Sequence, residues 1–253
     1  MTQSQFIRDR DRLVGRRAVL AGIGTTALTA SATRLPAQDG RCALTPTETR
    51  GPFPADGTNG RPRMNVLTSP GIERQDLRSS FDGLAGRAEG VQLSLTLQVT
   101  RGPACAPYPG AAIYLWQNDA AGAYSLYNLP DANYLRGLQV ADGQGRVRFT
   151  LIVPGCYGGR YPHCHLEVYG SANDAVAGAA PLLVSQLAFP QATCRAIYRS
   201  DDRYGDSLAN LESLPIERDF VFADADEAGR ARQTIALVGG LSGFSGTAAI
   251  SVA

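Results

Sequence analysis

The chain has 253 residues, 44% of them hydrophobic and 19% charged, with a formal net charge of +1. This is enough apolar material for one packed β-rich domain or two small ones, and the near-zero charge gives no bias toward nucleic acid or another polyanion. All 24 basic residues are arginine, which excludes Schiff-base chemistry, pyridoxal phosphate attachment and a phosphate-loop lysine.

Residues 1–37 read as an export signal with its cleavage region. Arg8, Arg10 and Arg12 precede the twin arginine Arg16-Arg17, and an apolar, small-residue run follows from Ala18 to Ala32. That run is too short for a membrane span, so no stable membrane insertion is expected, although a retained anchor helix is the alternative. Ala30-Ser31-Ala32 and Leu35-Pro36-Ala37 both offer cleavage sites. Removing residues 1–32 takes away five arginines and two aspartates and leaves 19 basic against 21 acidic residues, net −2. A twin-arginine signal resembles those of the route that exports folded proteins, often with a metal installed, so a periplasmic or extracellular location is expected.

Residues 38–90, rich in Gly, Pro, Arg and Asp and without clear periodicity, predict an extended N-terminal arm laid over a core formed by residues 91–253. From Val91 apolar residues alternate through Leu93, Leu95, Leu97 and Val99, the signature of a half-buried strand. Further strands are predicted over 112–117, 146–153, 165–169, 183–189, 219–223, 232–238 and 247–252, with turn signals at Asp142-Gly143-Gln144-Gly145, Gly158-Gly159 and Gly239-Gly240. One short helix is predicted over 192–200. The fold class is therefore all-β: an antiparallel β-sandwich with an extended N-terminal arm and long active-site loops, one domain together with the arm.

His163 and His165 are the two histidines of the chain. On a strand, side chains two apart share a face, so both imidazoles converge on one point, as suits a shared transition metal. Glu167 has the same strand parity, which keeps open a ferrous two-histidine, one-carboxylate site of cupin-like type. Asp119, Asp131, Asp142 and several tyrosines are other oxygen donors within reach. A non-catalytic secreted sandwich that binds an aromatic or glycan is the third alternative. Cys42, Cys105, Cys156, Cys164 and Cys194 are an odd number, which leaves one thiol unpaired within a single chain, and their spacing matches no zinc-finger pattern.

The stretch from Gly110 to Ser125, with Tyr114-Leu115-Trp116-Gln117-Asn118-Asp119 and Tyr124, resembles the signature of the intradiol ring-cleavage dioxygenases, the family of catechol and protocatechuate dioxygenases. The resemblance continues through Tyr134 to Gly137, Asp142 to Gly145, Val153 to Tyr157, Arg160 to His165 and Ser185 to Pro190. Weaker similarity, at Thr49 to Phe53 and Gly243-Phe244, extends it over about residues 41–252. It implies one non-haem ferric ion per chain held by Tyr124, Tyr157, His163 and His165, with a small aromatic diol and dioxygen as substrates. Phenolates suit ferric iron because they are hard, anionic oxygen donors. The implied reaction inserts both atoms of dioxygen into a catechol-type ring to give a cis,cis-muconate-type diacid. Arg160 would stabilise negative charge on the activated ring, Gln186 would line the pocket, and Tyr157 would be the ligand that substrate displaces. Tyr114, Tyr127, Tyr134 and Tyr161 are expected to be packing residues.

The chain departs from the family at Arg50, where an acidic residue is common, and at Pro54, where an aromatic is common. Cys156 stands where a bulky residue precedes the second tyrosine, as a redox-sensitive thiol or a disulfide partner. The usual proline two before the first histidine is displaced to Pro162. These positions put substrate identity, not the ligand set, in doubt, and a homo-oligomer is left open. The resemblance also implies a Cys42–Cys105 disulfide tying the arm to the sandwich.

Overall fold

The structure, a computed structural model, describes residues 42–59 and 64–253. The expected signal, with Arg8 to Arg17 and both cleavage sites, lies outside the described residues. None of the described helices is long and apolar enough to cross a membrane.

Among the described residues nine strands form two sheets: β1 (Gln92–Arg101), β2 (Ala106–Pro107), β3 (Ala112–Trp116), β4 (Arg136–Val140), β5 (Arg146–Ile152), β6 (His163–Tyr169), β7 (Leu183–Ala188), β8 (Ala236–Gly240) and β9 (Gly243–Val252). One sheet has the order β2-β1-β9-β8 with β5 also paired to β1, and the other the order β4-β3-β6-β7. The two pack as the expected sandwich. One pairing departs from the antiparallel rule: β1 and β9 run parallel, Leu93 opposite Phe244 through Arg101 opposite Val252.

The alternation along β1 is what builds the core. Leu93, Leu95, Leu97 and Val99 are buried and meet Ile113, Leu115, Phe149, Leu151, Leu166 and Val168 from the other strands. At about 1.5–3 kcal/mol per fully buried aliphatic or aromatic side chain, this interior is the main stabilising contribution. β3 and β6 are buried on both faces. On β6, Cys164, Leu166 and Val168 join the sandwich core, whereas His163, His165, Glu167 and Tyr169 point the other way. Chain preceding β1 covers that second face: Ala55, Val66, Leu67 and Ile72 cluster with Ala112, Tyr114, Trp116 and Tyr169. Residues 42–59 and 64–90 contain one 3₁₀ turn (Val66–Thr68) and a few isolated bridges, such as Asp56 with Asn65 and Glu73 with Leu138. Cys42 and Cys105 form a disulfide, and Cys42 N–H donates to the Pro103 carbonyl at 2.8 Å.

Several elements differ from expectation. Residues 219–223 are turn rather than strand: Asp219 accepts from Phe222 and Ala223 N–H through its carbonyl and from Val221 N–H through Oδ1, so local acceptors take the donors a ladder would need. Helices α1 (Ala172–Val176), α3 (Ser207–Ser213) and α4 (Glu227–Arg232) accompany the expected helix α2 (Gln191–Ser200). The unexpected helices are at most seven residues long, too short for a 3.6-residue period to show. α4 occupies the start of the strand expected over 232–238, which begins at Ala236. Strand β4 was hidden by Gly137, where a Cβ would sit 2.3 Å from Leu77 Cδ2.

Candidate metal centre

His163 and His165 occupy alternate positions of β6, and their Nε2 atoms lie 3.1 Å apart. Their orientation is set from behind. His163 Nδ1 is 2.6 Å from the Tyr161 carbonyl, so the proton sits on Nδ1 and the Nε2 lone pair faces the shared point. The β3–β6 register puts Trp116 opposite His165, and the indole stacks on that imidazole at 4.9 Å with 6° between planes. On the other side Gly51 adopts φ +69°, and a Cβ there would approach His165 Cε1 to 3.1 Å. Glycine is what lets the arm lie this close.

Two loops bring phenols to the same point. Tyr124 is fixed by its N–H donating to Asn128 Oδ1 at 2.9 Å, in a loop whose turn Asp119 closes by accepting from Ala121 and Ala123 N–H. Tyr157 follows Cys156, whose N–H donates to Ser207 Oγ at 2.9 Å and whose carbonyl accepts from Asn210 Nδ2 at 2.8 Å. Helix α3 therefore holds the Tyr157 loop. Tyr124 Oη lies 3.1 Å from His165 Nε2, 3.5 Å from His163 Nε2 and 3.4 Å from Tyr157 Oη, and Tyr157 Oη lies 3.4 Å from His163 Nε2. Together with the histidine pair, five donor–donor spacings fall between 3.1 and 3.5 Å. Donors each about 2 Å from one central ion are separated by about this much.

The electrostatics agree with that chemistry. Burial, reinforced by Arg160, pushes His163 down to about 3, and burial together with His163 holds His165 well below its usual range. Both imidazoles are neutral and free to donate a lone pair. Burial raises both tyrosines, Tyr124 strongly and with help from Tyr157. Protein charges alone leave these phenols protonated, and a bound cation of high charge is what would ionise them. Two phenols and two neutral imidazoles fit a hard, trivalent ion.

Arg160 stands beside the donors and is not the surface ion pair one could expect of an arginine in a loop. It is buried; Nε donates to Asp219 Oδ2 at 2.9 Å, Nη2 donates to Gln186 Oε1 at 2.7 Å, and Nη1 lies 3.1 Å from His163 Nε2. Gln186 is buried too, and its Nε2 donates to the Thr49 carbonyl at 2.8 Å. All six residues expected at the site, Tyr124, Tyr157, Arg160, His163, His165 and Gln186, are thus within one contiguous set of contacts.

Glu167 does not join them. Its Oε1 accepts from Arg50 Nε at 2.5 Å and its Oε2 from Tyr169 Oη at 2.5 Å, and Arg50 also pairs with Asp56 at 3.2 Å. No group of three or more His, Cys, Asp or Glu side chains suited to a metal occurs among the described residues, which removes the support for a two-histidine, one-carboxylate site. Asp119 and Asp142 serve turns. Tyr114, Tyr127 and Tyr134 donate to Pro54 O, Asn59 Oδ1 and Asp119 Oδ2. Cys156, Cys164 and Cys194 are buried free thiols; Cys156 is no disulfide partner, and burial pushes its thiol up to about 12. Asp219, Trp116, Thr49 and Gly51 were missed from the sequence. The signal available for Trp116 was its in-register position on a strand that pairs with β6.

Residues 70–193 match the family model described as Dioxygenase. Over this span the chain resembles the dioxygenase family. No curated protein matches the sequence. Among solved structures the chain is similar to an intradiol ring-cleavage dioxygenase from Tetranychus urticae, at 24% identity over 83% of this chain and 94% of that one, with a TM-score of 0.62. It is also similar to the dioxygenase domain of a dioxygenase carbohydrate-binding protein fusion from Streptomyces sp. SirexAA-E, at 23% identity over 83% and 98%, TM-score 0.52. These neighbours share the β-sandwich.

Proposed function

We propose that this dioxygenase is a non-haem ferric-iron enzyme of the intradiol type, with one iron per chain held by Tyr124, Tyr157, His163 and His165. The observation that carries the reading is the convergence of two phenol oxygens and two imidazole nitrogens at mutual spacings of 3.1–3.5 Å. Ferric iron at these donors would supply an electrophilic centre for a catechol-type diol and dioxygen. Addition of both oxygen atoms to one diol, with cleavage between its two oxygen-bearing carbons, gives one cis,cis-muconate-type diacid. The reaction balances without an external reductant.

The protein groups divide the remaining work. Tyr157, more exposed than Tyr124, would hold the ion as a phenolate and is the one placed to accept a proton from an incoming diol. Arg160 Nη1 offers a buried, fixed cation where negative charge develops on the ring. Gln186 has both ends of its amide engaged, by Arg160 and by Thr49, so its action passes through Arg160. Trp116 and the arm around Gly51 exclude water from the back of His165. The twin-arginine signal read from Arg16-Arg17 and the apolar run after them would carry the enzyme to the periplasm or outside the cell. Iron analysis, the visible spectrum and turnover of a small panel of catechols test the reading together. One iron per chain, a broad tyrosinate-to-iron band and ring opening are expected; colourless protein with no catechol consumption after iron loading would refute it.

A further inference from the structure

Arg160 reaches the donor cluster with one of its nitrogens, while the others are held by protein. Asp219 is the strongest of those holds. It is completely buried, and its Oδ2 accepts from Arg160 Nε at 2.9 Å and from Tyr161 N–H at 2.6 Å. Its Oδ1 accepts from Val221 N–H at 2.9 Å. The carboxylate is therefore fixed at both oxygens, in a turn that begins at the 3₁₀ segment Ile216–Arg218. Gln186 Oε1 takes Nη2 at 2.7 Å, and the Phe220 ring lies 4.8 Å below the guanidinium carbon. A guanidinium is planar, so fixing Nε and Nη2 fixes the direction of Nη1, which sits 3.1 Å from His163 Nε2. Tyr161 N–H sharing Oδ2 ties the backbone of the Arg160-to-His163 segment to the same carboxylate.

We propose that Asp219 is the positioning residue of the reaction: it aims Arg160 Nη1 at the reacting atoms and has no contact with substrate itself. This rests on the ferric intradiol reading above. Asp219 also pairs with the arginine's charge at 2.9 Å, so the guanidinium has a buried counter-ion where it stands.

A double-mutant cycle tests it with Asp219→Asn, Arg160→Gln and the combined variant. Asp219→Asn is expected to lower kcat for catechol by about tenfold or more, since a displacement of about 1 Å in a positioned group can cost on the order of a hundredfold. Anaerobic affinity for catechol and the visible band should stay unchanged. In the Arg160→Gln background the same substitution should cost no further activity, because the two residues act as one unit. An Asp219→Asn effect of equal size in both backgrounds overturns the proposal. Asp219→Glu keeps the charge and displaces the carboxylate by one methylene; it serves where Asp219→Asn does not fold. It too should lose kcat with iron retained, and an unchanged kcat overturns the assignment. A readout without iron or turnover is the Arg160 Nε–H resonance of the metal-free protein, expected to exchange slowly in wild type and rapidly in Asp219→Asn. Equal exchange defeats the positioning role by itself, whereas a wild-type enzyme without catechol turnover defeats the functional reading on which it rests.

Discussion

Tyr124 and Tyr157 differ in their surroundings, and their replacement should differ in outcome. Tyr124 is enclosed by Phe53, Tyr157 and His165, so Tyr124→Phe should lower iron content as well as colour. Tyr157→Phe should keep more iron and shift the band, because the more exposed ligand has water as a substitute; unchanged colour and iron in both variants would remove the tyrosines from the centre. Arg160→Ala carries a second expectation, about stability. Its partner Asp219 would be left buried without a counter-charge, which costs about 3–5 kcal/mol. Turnover should fall by on the order of a hundredfold, and a denaturant melt identical to wild type would contradict the burial argument. The four donors were legible in the sequence because strand parity joins the histidines and the family motifs single out the tyrosines. Asp219 was not legible: nothing in a run of alternating residues shows that its carboxylate caps its own turn and salts a loop about sixty residues earlier.

Among the elements, β6 and the arm together make the site. β6 has two faces, one apolar for the sandwich and one polar for the centre, and its burial on both depends on the arm. The alternation of β1 and the apolar parity of β6 could be read directly, whereas β4 and the short helices follow from tertiary contacts such as Leu77 against Gly137. The arm lies along β6 and β7 beside the site at consecutive residues: Thr49 O holds Gln186, Arg50 pairs with Glu167, and Gly51 lies against His165. Gly51→Ala should therefore weaken iron retention, because a side chain at φ +69° costs about 1–2 kcal/mol and the added methyl crowds His165 Cε1. Iron content after dialysis against a chelator checks this; retention equal to wild type would contradict the contact. The Cys42–Cys105 bridge spans 63 residues and stabilises by about 4 kcal/mol in the chain-entropy picture. Replacing both by serine should lower the melting temperature while the iron band persists at room temperature, since Thr45 with Ser251 and Glu48 with Val184 also hold the arm. An unchanged melting temperature would contradict a stabilising bridge.

For the molecule as a whole, composition and motif spacing pointed to one sandwich with one metal centre; the two sheets with the arm across β3 and β6 form the sandwich, and the four proposed donors converge at one place on it. The same architecture explains why so few polar residues suffice. A sheet covered on both faces excludes water from the donors, and the proposed reaction would need only two phenols, two imidazoles and one aimed cation. The central claim is that these groups hold iron that opens a catechol ring between its two oxygen-bearing carbons. Turnover of catechol by the iron-loaded protein under ¹⁸O-labelled dioxygen, with mass analysis of the product, tests it most directly. The expected product is a cis,cis-muconate-type diacid carrying both labelled oxygen atoms; a semialdehyde from cleavage beside the diol, or intact catechol with no oxygen uptake, would contradict the account.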